Sequence, residues 1–297
     1  MMEVKIYKDA PVPGRLSQFW RKFRKHKGAL VGLIVLTLIV LMAIFSPLIA
    51  PFDPTEQFSD YLRYPPAWTA DGVNRHLLGT DDLGRDLFSR IVYGSRLSLG
   101  LSALVVVIAA AVGIALGAIA GLTRGGIEYS ILRVMDIILA IPSLLLAIVI
   151  VAIIGPGLPN AIYAVAIVLI PHFVRIVRAS IREEMAKDYV LAAKLDGANS
   201  IRLFTHSILP NILPPLVVQV TLAFSTALID IAALGFLGMG AQPPNPEWGT
   251  ILSQSRAFIQ LAPWTVTIPG LAILITVLSI NLLGDGLRDA LNPKEHP

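Results

Sequence analysis

Long stretches without a single Asp, Glu, Lys or Arg constrain this chain more than any other feature. Residues 28 to 52 carry no charge, and within them Ala29 to Ala50 supplies 22 mostly apolar positions. A helix needs roughly 20 such residues to cross about 30 Å of hydrocarbon. Residues 97 to 123, between Arg96 and Arg124, form a second run. The third, Ile137 to Val174, has 38 residues and is too long for one helix. Its segment from Gly155 to Asn160 holds two prolines and two glycines, which predicts a tight turn joining two helices. Leu203 to Ile229 and Phe258 to Gly284 supply the last two runs. The reading is an all-α integral membrane protein with six transmembrane helices at about 29–50, 97–122, 132–154, 160–178, 211–235 and 264–284. An even number of spans puts both termini on one side.

Composition excludes most other classes. Of 297 residues, 55% are hydrophobic and 15% charged, where soluble globular domains carry roughly 25% charged residues. An ordinary cytosolic enzyme is therefore ruled out. The net charge of +4 is too small and too dispersed to argue for nucleic acid. Cysteine is absent, which removes disulfides, thiolate nucleophiles, zinc-thiolate sites and iron-sulfur clusters. Neither a phosphate-cradling Gly-x-x-x-x-Gly-Lys-Ser/Thr loop, a Gly-x-Ser-x-Gly elbow nor a His-Glu-x-x-His helix occurs. The one mid-span histidine, His172, stands beside Pro171 with no acidic neighbour in sequence, so no catalytic or metal residue is assigned. An ion-coupled carrier would bury several ionisable groups near the midplane, and only Asp230 lies well inside a span.

Loop charge gives an orientation. Residues up to 28 hold eight Lys or Arg, the short loop and helix start around Arg124 and Arg133 hold two, 175 to 210 hold six and the tail two, together 18 of the 24. Because Lys and Arg mark the cytoplasmic side, both termini and the 175–210 loop are expected inside, and the loops 51–96 and 236–263 outside. The apolar run starts too late and runs too long for a cleavable signal peptide. Residues 1–28 read as a basic amphipathic segment, with Leu16, Phe19, Trp20 and Phe23 on one face.

The stretch from Ile181 to Asn211 is too long for a simple turn. Lys187 to Asp196 reads as a short helix ended by Gly197, which tolerates the left-handed conformation of a helix C-terminus. Asn199 or Ser200 caps a second short helix through Phe204, and Pro210 opens the fifth span. Val190, Leu191, Ala192, Ala193 and Leu195 give this knob an apolar face with small residues, suited to a partner's groove.

Ala192-Ala193, three residues, Gly197 and then Leu209-Pro210 resemble the coupling loop of ABC importer membrane subunits. That pattern is Glu-Ala-Ala, three residues, Gly, nine residues, Ile, one residue, Leu-Pro. Leu191 stands in place of its Glu and Ser207 in place of its Ile, so a salt bridge from the Glu position is not carried over. The segments His76 to Leu99, Ile141 to Ala147, Ala232 to Leu252 and Asn281 to Lys294 resemble the peptide and nickel branch, and within it the C-type membrane subunits of dipeptide permeases.

The resemblance covers about residues 15 to 294 and implies a type I importer permease fold: a first span at 29–50, an outer loop 51–96, a core of 97–285 with the coupling loop at 181–210, and a cytoplasmic tail from 286. It implies a bacterial inner-membrane heterodimer with a second homologous permease, two cytoplasmic ATPase subunits that bind ATP and Mg, and an extracytoplasmic peptide-binding protein. This chain itself would hold no cofactor. Di- or oligopeptides would be the substrate, with nickel complexes as the alternative within the branch and a non-transporting sensor or scaffold outside it. ATPase coupling falls to Val190, Leu191, Ala192, Ala193, Leu195 and Gly197, and the translocation path or gate to Asp230, Phe236, Met239 and Gln242.

Other residues carry local readings. Asp81, Asp82, Arg85, Asp86 and Arg90 suggest a paired network at the foot of the second span, and Arg133 and Asp136 an i, i+3 pair. Asp230 reads either as a helix-helix hydrogen bond or as a cavity-lining group. Gly113, Gly117 and Gly121 form a ridge of small residues that permits close helix approach. Pro142 and Pro171 predict kinks. In the outer loop, Pro243, Pro244 and Pro246 suggest a stiff extended segment, which with Glu247 and Trp248 would serve as a docking surface or part of the gate.

Overall fold

The computed structural model describes residues 14–291; the parts of the N-terminal segment and tail at 1–13 and 292–297 lie outside them. In chain order the helices are α1 (Arg15–Lys25), α2 (Lys27–Ile44), α3 (Ser46–Ile49), α4 (Leu87–Leu122), α5 (Gly126–Leu139), α6 (Ser143–Ile154), α7 (Leu158–Glu184), α8 (Asp188–Leu195), α9 (Ser200–Arg202), α10 (Leu209–Phe236), α11 (Trp248–Ser255) and α12 (Trp264–Leu291). Five helical runs are long and apolar enough to cross a membrane, and α5 with α6 makes a sixth if the bent pair is one span. Large apolar side chains such as Ile34, Leu38, Val107, Ile153 and Leu278 are exposed along these helices. That distribution suits hydrocarbon, where only self-satisfied backbone survives.

Several helix boundaries differ from expectation. The second span begins at Leu87, ten residues before 97, because Asp86 caps it by accepting from Ser89 N at 2.8 Å. At about 1.5 Å per residue the 36 residues of α4 overrun the membrane, and its charged first turns lie beyond the apolar run. The third span is no continuous 132–154 helix. Pro142 cannot extend α5 and instead stands at the N-cap of α6, with a 92° bend between the two. The second short helix after Gly197 does not stop at Phe204: α9 passes through a π-helical stretch, Leu203–Ile208, directly into α10. Finally, α12 continues to Leu291, so the expected tail is helical well past 285.

The glycine ridge organises the core. Gly117 and Gly121 face Val177 and Ile181, and Gly113 faces Phe173, all three partners being fully buried on α7. Ridge and partners both step by four residues, so one face of α4 lies along one face of α7. On the other side α12 packs on α2 and α10. Phe23 of α1 is buried against Ala29 and Ala290, which ties the N-terminal helix to the end of α12.

Candidate functional site

The α8 knob is built by its termini. Gly197 has φ +81°, its N–H reaches Lys194 O at 3.0 Å, and Ala198 N–H reaches Ala193 O at 3.1 Å. These two bonds form a Schellman ending, which satisfies carbonyls that the last turn would leave bare. Asn199, rather than Ser200, caps the next helix by accepting from Arg202 N at 2.8 Å. Leu191 and Leu195 are 56% and 81% exposed, Ala192 is exposed and Ala193 half-buried. Val190 corrects the expected docking face, because it is fully buried in the main core and anchors α8 instead. Ile201 of α9 is also exposed, at 74%, and sequence periodicity does not mark it because α9 is a single turn.

A polar clamp fastens the knob to two spans. Glu184 at the end of α7 accepts from Lys187 Nζ at 2.5 Å and from the Tyr189 hydroxyl. On α10, Asn211 Nδ2 donates to the Tyr189 oxygen at 3.1 Å and to Ser207 O at 2.8 Å. Burial, and then the Glu184 carboxylate, push the Tyr189 hydroxyl up to about 12, so it stays a donor. None of these residues stands out in sequence, since their contacts join separate helices.

At the opposite end the segment 51–86 folds into a polar layer over α4. Arg85 Nε donates to Asp81 Oδ2 at 2.7 Å, Arg90 lies 3.6 Å from the same oxygen, and both guanidinium groups donate to Gln254 Oε1 of α11. The expected network therefore exists and reaches further than its own segment. His76, a residue the motif contains without marking it, is fully buried with Nδ1 2.9 Å from Asp86 Oδ1, among Phe52, Phe58 and Tyr61.

The loop after α10 departs from expectation. It turns at Pro243 and Pro244 instead of extending, with Asn245 N donating to Gln242 O at 3.2 Å. Pro243 and Pro244 are exposed and Pro246 half-buried. Glu247 and Trp248 are fully buried, so they offer no docking surface. Trp248 Nε1 donates to Ile91 O at 3.1 Å, and Glu247 caps α11 by accepting from Gly249 N and Thr250 N at 3.0 and 2.9 Å, with Ser98 Oγ at 3.1 Å. Burial pushes the Glu247 carboxyl above its ordinary value, against the downward pull of those four donor contacts, the Thr250 hydroxyl being the fourth.

Three of the path candidates lie at the end of α10 and in the turn after it. Phe236 is exposed at the end of α10, and Gln242 Nε2 donates to Gly238 O and Gly240 O at 3.1 Å. Met239 O accepts from Gly157 N at 3.2 Å, which joins the α6–α7 turn to this loop. Asp230 is 5% exposed and its Oδ2 has no hydrogen-bond partner among the described residues.

Between α5 and α7 runs an ion-pair ladder. Asp136 pairs with Arg175 at 2.5 Å, not with the expected Arg133, and Glu128 bridges Arg178 and Arg182 at 2.6 Å each. A local i, i+3 rule does not see the second helix.

Five membrane-length helices and the bent α5–α6 pair, with a glycine ridge in the core and a clamped helical knob at one end, define a helical membrane subunit of the type I importer permease class. The family described as "Binding-protein-dependent transport system inner membrane component" matches residues 113–296, and "N-terminal TM domain of oligopeptide transport permease C" matches residues 14–66. The chain belongs to the binding-protein-dependent transport system inner membrane components. It is 54% identical to the di/tripeptide transport system permease protein DppC of Pseudomonas aeruginosa over 95% of this chain and 93% of that one. To the dipeptide transport system permease protein DppC of Escherichia coli K12 it is 55% identical over 96% of each. The inward-facing MetNI methionine ABC transporter shares the fold, with a TM-score of 0.58 at 21% identity, over 69% of this chain and 98% of that one. The family is one of transport permease subunits.

Proposed function

We propose that the chain is the C-type membrane subunit of an ATP-driven importer of di- and tripeptides. It would form half of the translocation path beside a second, homologous permease, with two ATPase subunits on the cytoplasmic face and an extracytoplasmic peptide-binding protein outside. The observation that carries this reading is the α8 knob: exposed apolar Leu191 and Leu195, with Ile201 exposed on the following turn, held through Tyr189 to both α7 and α10. The Lys and Arg bias of the loops supports an orientation with this end and both termini in the cytoplasm.

Motion of the ATPases would drag the knob, and the clamp would pass it to α7 and α10, whose tilt opens the path alternately to either side. Phe236, exposed on the outward end of α10, is the gate residue of this reading. Gln242 and Met239 shape the turn behind it, and Asp230 is placed on the path only if a partner subunit supplies its missing donor. Pro243 and Pro244 remain for contact with the binding protein. Reconstitution with the four partners tests the proposal: labelled Ala-Ala should enter proteoliposomes only with ATP and binding protein. ATP-independent entry, or none, rejects it.

A further inference from the structure

The α8 end contains a cavity of about 870 Å³ bounded by α1, α7, α10 and α12. That volume falls in the range of roughly 300–1,000 Å³ typical of small-ligand sites. Its lining carries both signs of charge. Glu183 of α7 and Arg288 of α12 both border it, exposed and without an ion pair among the described residues. From α10 come Asn211, Pro214, Pro215 and Gln219. Proline has no N–H, so Pro215 leaves the carbonyl of Asn211, a residue of the lining, without its helical donor. Freed carbonyls of a membrane helix are tolerated where they border a cavity and not where they face lipid.

We infer that this cavity binds the backbone and termini of a short zwitterionic peptide. Glu183 takes its ammonium group, Arg288 its carboxylate, and the freed carbonyl of Asn211 an amide N–H group. All three contacts read features common to every short peptide, which suits a site that must pass many side chains. The inference rests on the permease reading and adds to it an inward-side subsite made by this chain alone.

The absence of cysteine allows a direct test in the assembled transporter, with partners also made cysteine-free. Gln219→Cys should be alkylated by a soluble maleimide, and millimolar Ala-Ala should slow that reaction several-fold. N-acetyl-Ala-Ala-amide, which lacks both charges, should not. Adding Glu183→Gln and Arg288→Gln should abolish the protection and leave the unprotected rate unchanged. Equal rates with and without Ala-Ala, in a preparation that still imports Ala-Ala, overturn the inference while the permease reading stands. A thiol that never reacts overturns it too, because a partner then fills the cavity. Failure of the parent transporter to import Ala-Ala removes the reading beneath it and the inference together.

Discussion

Gly117 of α4 lies so close to α7 that a Cβ added to it would stand 2.7 Å from the Cβ of Val177 and 3.0 Å from the carbonyl oxygen of Val174. Two helices that carry the main core are thus separated by nothing larger than a hydrogen atom. Gly117→Ala forces backbone apart rather than a flexible side-chain end, and overpacking of this kind costs about 1–3 kcal/mol. The melting temperature of the purified subunit should fall. Gly270→Ala in α12, where nothing lies within 4 Å, should not lower it. Equal melting temperatures for the two variants would remove the close approach from the argument.

Gly197 presents the opposite case, since its surroundings are empty and only its φ of +81° is special. Left-handed backbone costs a residue with a Cβ roughly 1–2 kcal/mol, and a β-branched one tolerates it worst. Gly197→Val should therefore break the Schellman ending, uncouple or release the ATPase subunits and lower uptake, with membrane insertion unchanged. Gly197→Asn should retain most of both. Normal uptake by the Val variant would show that the knob does not depend on this turn.

The ridge and the turn were legible in sequence because each obeys a local rule: glycines spaced by four share a helix face, and a glycine after an amphipathic octet ends a helix. Counting charges failed where charges are buried. Asp86 and Arg90 look like loop residues, yet one caps α4 and the other sits inside its first turns, fully covered. Apolar run length likewise cannot register a 92° bend, since Ile138 to Ala147 is apolar on both sides of the corner except for Pro142 and Ser143. Val190 is hidden from sequence for a related reason: residues 189–193 are apolar in a row, and only the position of the neighbouring helices decides which of them is covered.

Asp82 should carry a pH signature. Burial first, and then the neighbouring Asp81 carboxylate, hold it above its ordinary value of 3.8, against the weaker pull of Arg85 and Arg90. The folded chain thus binds this proton more tightly than the unfolded one. The stability linked to it is present below 3.8 and is lost as the pH rises through the folded value. Asp82→Asn should melt higher than the parent at neutral pH, with the gap closing as the pH is lowered toward about 4. A gap that stays constant across this range would mean that Asp82 is not held above its ordinary value.

The ladder between α5 and α7 separates two kinds of ion pair. Asp136 and Arg175 meet at 2.5 Å with side chains 50% and 53% exposed, and exposed pairs of this sort contribute about 1 kcal/mol at most. Glu128 is 15% exposed and accepts from Arg178 Nε at 2.9 Å and from one terminal nitrogen each of Arg178 and Arg182 at 2.6 Å. Arg182 also donates to the carbonyl of Thr123, so its removal from Glu128 loosens the turn between α4 and α5 as well. Glu128→Gln leaves two guanidinium groups facing a neutral amide, whereas Asp136→Asn leaves one in solvent. The first variant should lower the melting temperature several-fold more than the second. High salt should erase the effect of Asp136→Asn, since its pair is open to counterions, and leave most of the Glu128→Gln effect in place. Equal losses with equal salt dependence would show that burial does not distinguish the two rungs, and that α5 is held to α7 by its apolar contacts instead.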